Sequence, residues 1–229
     1  MAPLFIRWFR NLERRTYMEK SSPPNVRVPR FSFLFAILAI GTLLSVLSEN
    51  LTLGPRWSIL IVAIVLLIPM IVTIFKGHHR WTRLISLSII SVLTLGLISS
   101  VLFLIHSLFT HIASAAGLFQ DAGLLWSANI LVFAVWYWEV DQGGPLRRHC
   151  KKTEDTDFLF PQKVSESPQW VNWSPSFLDY FFLAFNTNTA FSPTDTMVLS
   201  KRAKCLIMMQ SSISLLIVVV LAARAINIA

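Results

Sequence analysis

Charge is what this chain has least of. Only 14% of its 229 residues are Asp, Glu, Lys or Arg, while 54% are hydrophobic, and the mean hydropathy is +0.60. That balance excludes an ordinary soluble domain, whose surface needs far more charge, and implies a polytopic membrane protein. Negative charge is scarcer still, with 12 acidic residues against 20 basic ones and a net charge of +8. A basic balance can serve nucleic-acid binding, but here the lysines and arginines gather beside apolar runs, and no finger spacing or aromatic-basic RNA module accompanies them. Nucleic acid is not an expected partner. The lipid bilayer, with its anionic headgroups, is.

Cysteine occurs twice, as Cys150 and Cys205. Two cysteines give neither a disulfide framework nor paired ligand spacing for zinc, so both are expected as free thiols. No catalytic constellation is present. His78 and His79 are adjacent and point to different sides, and His106 and His111 are five apart, missing the i, i+4 spacing of a helical zinc site. There is no phosphate loop. The sequence therefore implies no enzyme, no cofactor and no metal. A cleaved signal peptide is not expected either, because the apolar run near the N-terminus is short and interrupted.

What is present is a succession of apolar runs. Residues 1–20 read as an amphipathic helix in the headgroup region, with Leu4, Phe5, Trp8, Phe9 and Leu12 apolar and Arg7, Arg10, Arg14 and Arg15 charged. Residues 21–30 are a proline-rich linker. Spans follow at about 31–47, 57–75, 84–109 and 123–138, and the last at about 205–226, each close to the length needed to cross hydrocarbon. Trp126, Trp136, Tyr137 and Trp138 read as interfacial anchors of the fourth span. Pro69 is expected to bend the second. The expected fold is all-α, with about five transmembrane helices plus a re-entrant half-helix hairpin. Its parts are an N-terminal segment (1–30), a four-span bundle (31–138), a polar connection (139–177) and a hairpin with the last span (178–229). Lysines and arginines alternate between the connections so as to put the N-terminus in the cytoplasm.

Polar residues inside the spans are few. Asn129, Gln210 and Ser214 are candidates to line a cavity, with interhelical hydrogen bonding as the alternative. His106 and Arg224 lie near span ends, where they can snorkel. Glu139 and Asp141, beside the Gly143-Gly144-Pro145 turn, mark either a cation site or a solvated helix end.

The stretch Leu178–Ser200, LDYFFLAFNTNTAFSPTDTMVLS, is too short and too polar in its middle to cross a bilayer, yet it directly precedes the last apolar run, which suggests a re-entrant hairpin. An aromatic half-helix from Asp179 to about Phe185 leads into Asn186-Thr187-Asn188-Thr189, then Phe191-Ser192-Pro193-Thr194-Asp195, then a basic cluster and a span. That order resembles the pore module of tetrameric potassium channels. Thr187 and Thr189 fall on the first two filter threonines and Asp195 on the closing aspartate. Ser192 and Thr194 stand where the filter glycines should be, Pro193 in place of the tyrosine and Ala190 in place of the third threonine.

The resemblance implies a homo-oligomer that is a channel-like or transporter-like conduit, passing a small ion along Thr187, Asn188, Thr189, Ser192, Pro193, Thr194 and Asp195. Without the glycines, a potassium-type cage of carbonyls is not expected. The chain is also similar, along most of its length, to a family of small, uncharacterised bacterial multi-pass membrane proteins. The similarity rests on Trp136-Tyr137-Trp138-Glu139, Asp141-Gln142-Gly143-Gly144-Pro145, Asp157-Phe158-Leu159-Phe160-Pro161 and the NTNTAFSPTD segment. It implies the architecture and a place in the bacterial inner membrane, and no activity. The competing expectation is a non-conducting structural or interaction protein in which the hairpin is a packing element and Ser192, Pro193 and Asp195 begin a helix. A conduit needs a continuous polar path along Thr187–Asp195; packing needs those side chains buried and paired.

Overall fold

The computed structural model describes residues 31–48, 51–52, 57–76, 79–110, 115–145, 148, 156–193 and 195–226. The expected amphipathic helix and linker at 1–30, together with His78, His111, Cys150 and Thr194, lie outside them. The described chain is mostly helical. Its six principal helices are α1 (Phe31–Ser45), α2 (Ser58–Phe75), α3 (His79–Thr110), α4 (Ala115–Val140), α5 (Phe177–Ala190) and α6 (Lys201–Ile226). Two-residue strands β1 (Phe158–Leu159) and β2 (Met197–Val198) pair antiparallel, Phe158 opposite Val198.

Among the described residues, three helices are long and apolar enough to cross a membrane, within Trp81–Thr110, Ala116–Gly143 and Lys201–Ala225. The other two apolar helices are shorter. At 15 and 18 residues, α1 and α2 rise about 22 and 27 Å, against about 30 Å of hydrocarbon. The fourth apolar run is longer than its hydropathy suggests, because α4 begins at Ala115 and not near Gly123. Gln120 and Asp121 interrupt the apolar pattern but not the helix. Asp121 is buried, and one carboxylate oxygen accepts the Ser48 N–H at 3.1 Å, tying the start of α4 to the end of α1.

Four hydroxyls in the first half of α3 are satisfied within the helix itself. Ser86, Ser88, Ser91 and Thr94 each donate to the carbonyl four residues earlier, at 2.7–3.0 Å, which leaves them satisfied without water. Thr94 Oγ1 also accepts Trp136 Nε1–H at 2.8 Å and so pins α3 to α4.

Helix α4 is the axis of the bundle, packed against α1, α3, α5 and α6. That position explains why Tyr137 and Trp138 are buried and do not sit as surface anchors: Tyr137 packs on Phe133 and Phe158, and Trp138 on Phe33 and Phe177. Helices α5 and α6 run in the same direction. The Ala184 carbonyl of α5 meets Gln210, and the Asn188 carbonyl meets Ser214. Because Ser214 lies roughly 18 Å along α6 from Arg202, α5 ends beside the middle of α6. The chain then returns through residues 191–199 to the first turn of α6, where the Leu199 N–H donates to the Asp157 carbonyl at 2.9 Å. The segment 178–200 is a down-and-back excursion alongside α6.

Candidate functional site

Two polar clusters hold this excursion, one at its tip and one at its base. The tip cluster is built from amides. Asn129 of α4 donates through Nδ2 to Asn188 Oδ1 at 2.6 Å and to the Gln210 carbonyl at 3.2 Å. Asn188 donates to the Trp126 carbonyl at 3.3 Å. Gln210 Nε2 donates to the Ala184 carbonyl at 2.8 Å, while its Oε1 accepts the Tyr137 hydroxyl. Ser214 Oγ donates to the Asn188 carbonyl at 2.7 Å. A backbone carbonyl can only accept, so each of the three amides is fixed in one orientation by its backbone partner. The Ser214 contact also satisfies a carbonyl in the last turn of α5, one of those the helix itself leaves open.

Asn129, Thr187, Asn188, Gln210 and Ser214 are all buried. The structure thus brings the three cavity-lining candidates of the spans together with two residues of the filter-like segment, in one packed cluster. Asn129 Oδ1 is buried there without a partner. Thr189, Ser192 and Asp195 are exposed and Pro193 is half-buried.

Helix α5 extends further at both ends than an Asp179–Phe185 half-helix. At its start, Ser176 N–H and Oγ both donate to Asp179 Oδ2 at 2.7 Å, closing a capping box. At its end, Asn and Thr are poor helix formers, but Thr187 Oγ1 and Thr189 Oγ1 donate to the carbonyls of Leu183 and Phe185, and tertiary bonds hold Asn188. The helix stops at Phe191, whose φ of 53° is left-handed, a conformation that normally falls to glycine. Residues 191–193, 195 and 196 are irregular, and the last helix begins only at Lys201. Ser192-Pro193 accordingly does not start a helix.

The base cluster centres on Asp141. This carboxylate is buried, accepting the Tyr180 hydroxyl at 2.6 Å and the N–H groups of Asp157 and Phe158 at 2.9 and 3.3 Å. Arg148 donates to the carbonyls of Trp138 and Asp141 at 2.7 and 3.0 Å and lies over the rings of Tyr180 and Trp138. Asp157 accepts the Gln142 N–H at 2.9 Å and takes Arg202 through two bonds of 2.6 Å. Glu139 is buried as well. Neither Glu139 nor Asp141 is a solvated helix end, and no group of three His, Cys, Asp or Glu side chains suited to a metal occurs among the described residues. Gly144 completes the turn with φ of 101°, and a Cβ there would lie 3.2 Å from the Glu139 carbonyl. Any side chain at this position is strained twice over.

Burial alone would raise the Asp157 carboxyl, but the Arg202 and Ser200 hydrogen bonds, the Arg202 charge and the Gln142 N–H outweigh it and hold the group below the usual carboxylate range. A lowered folded-state pKa means stability that is present above about pH 4 and is lost as the pH falls through the lowered value. Thermal melting of detergent-solubilised protein is expected to weaken below about pH 4. In Asp157→Asn, melting should start lower at neutral pH and vary less over that acid window; an unchanged acid slope would show that Asp157 does not carry it.

Sequence reasoning placed Asn129, Gln210 and Ser214 inside the bundle because polar residues are conspicuous in apolar runs. It missed Tyr137, Tyr180, Arg148 and Asp157. A signal was available: Asp141, Arg148 and Asp157 set opposite charges in a connection that must fold back on itself, and Arg202 follows at the start of the last helix. No family model, curated protein or solved structure matches this chain.

Proposed function

We propose that this chain is an integral membrane protein in which α5 and the 191–199 return form a re-entrant hairpin, and that the return segments of several copies line a polar path for small ions. The reading uses five spans, α1 to α4 and α6, with α1 and α2 accommodated by local thinning of the bilayer. The lysine and arginine count puts the N-terminus and the mouth of the hairpin on the cytoplasmic side.

One observation carries it. Past the end of α5, whose Asn188 carbonyl meets Ser214 in the middle of α6, residues 191–193 and 195 form neither helix nor strand, and Ser192 and Asp195 are exposed. At hydrocarbon depth such backbone is tolerated only where protein covers it or water reaches it, and a carboxylate requires water. The left-handed Phe191 adds support, since strain of this kind concentrates at functional segments. The order of short helix, polar segment and last span supports the same arrangement through its resemblance to a potassium-channel pore module. The buried Thr187, Asn188, Asn129, Gln210 and Ser214 then hold the hairpin and do not line the path. Selectivity falls to the exposed oxygens of Ser192 and Asp195, so sharp discrimination of potassium over sodium is not expected.

A second reading has its own observation. Thr187 and Asn188 are buried and paired, as a non-conducting packing element requires. Flux through liposomes containing the purified protein, across several cations and anions, separates the two: cation flux supports the conduit, and silence toward every ion leaves the packing element.

A further inference from the structure

One face of α6 is exposed along most of its length. Met208, Leu215 and Val219 are 60%, 51% and 53% exposed, and Lys201 and Lys204 continue the same helical stripe at its upper end. The opposite face, with Ala203, Ile207, Gln210, Ser214 and Ile217, is buried in the bundle. Beside the lysines, Met197 and Leu199 of the return segment are exposed too.

The three basic residues of this first turn differ in what they can do. Arg202 is neutralised by Asp157. Lys201 and Lys204 form no ion pair among the described residues, and the first turn of α6 contains no acidic side chain. Two ammonium groups near the positive end of a helix dipole are unfavourable there until an anion meets them. Below them the surface is apolar, and from Lys204 to Leu215 is about 16 Å, half the thickness of the hydrocarbon layer.

We propose that this face of α6 is a site for an anionic phospholipid of the bilayer, its phosphate between Lys201 and Lys204 and its acyl chains along Met208, Leu215 and Val219. The site rests on the membrane reading but not on the conduit. A chain that conducts nothing would still bind the lipid, and a conducting chain could lack the site.

The test titrates phosphatidylglycerol or phosphatidylcholine into the full chain in neutral detergent and reads bound lipid by native mass spectrometry. Wild type is expected to prefer phosphatidylglycerol by tenfold or more, at roughly fivefold per lysine. In Lys201→Gln/Lys204→Gln the preference should fall to near one while melting without lipid is unchanged; in Lys201→Arg/Lys204→Arg it should persist. Salt at about 0.5 M should abolish the wild-type preference. Glycerol phosphate, the headgroup without chains, should not compete. Equal binding of the two lipids by wild type, a preference that survives the glutamine pair or the salt, or competition by glycerol phosphate would each overturn the site. If the glutamine pair does not fold, the arginine pair and the salt series decide.

Discussion

Asp141→Leu is expected to destabilise the detergent-solubilised protein by about 3–5 kcal/mol, the cost of stranding the partners of a buried charge. Three donors converge on this carboxylate: the Tyr180 hydroxyl and the N–H groups of Asp157 and Phe158. All lie in buried surroundings where leucine offers no acceptor. The Arg148 guanidinium, stacked on Tyr180, would also lose a counter-charge. Asp141→Asn keeps the shape and an acceptor oxygen, so its loss should be about half as large. Thermal melting measures both, and limited proteolysis between residues 156 and 176 should accelerate in the leucine variant, because the polar connection is moored at Asp141. Melting of Asp141→Leu within 1 kcal/mol of wild type would show that the base cluster does not hold the hairpin.

Gln210→Leu is expected to cost about 2–3 kcal/mol. The side chain donates to the Ala184 carbonyl and accepts from Tyr137, so one substitution removes a bond from α6 to α5 and another from α6 to α4. Single interhelical hydrogen bonds within bilayers often contribute less than 1 kcal/mol, because the separated helices find other partners. The larger figure applies here because two bonds are lost and their partners stay buried. Thr189→Val is the control: Thr189 is exposed and bonds only within its own helix, so its change should be near zero. Equal effects for the two variants would remove the tip cluster as the clamp on α5.

Much of the helical frame is legible in the sequence, since α1, α2, α3 and α6 follow apolar runs whose ends are marked by charge. Where the reading fell short, a tertiary contact outweighed a local rule. Asp121 delays the apolar signal of α4, but one of its carboxylate oxygens accepts the Ser48 N–H and the helix passes through it. Asn186–Ala190 reads as the end of a helix by propensity, yet contacts from Asn129 and Ser214 carry α5 onward. Glu139 and Asp141 read as solvated because charge usually is; they are buried because the connection folds back over the end of α4. Within the candidate site, residue type revealed which side chains would be hidden in the bundle. It could not reveal that the filter-like segment divides, with Thr187 and Asn188 turned inward and Ser192 and Asp195 outward. Helical periodicity assigns faces only while the helix lasts, and α5 ends at Ala190.

The proposed conduit rests on the outward half of that segment, and Asp195 is its one described charge. Asp195→Asn removes the charge with little change of shape, at an exposed position. The decisive measurement is cation flux per correctly assembled molecule in liposomes, for wild type and Asp195→Asn side by side. The account predicts cation flux in wild type without strong preference for potassium over sodium, and a severalfold change in Asp195→Asn at equal assembly. No flux of any ion through wild type, or flux per molecule that the substitution leaves untouched, would contradict it.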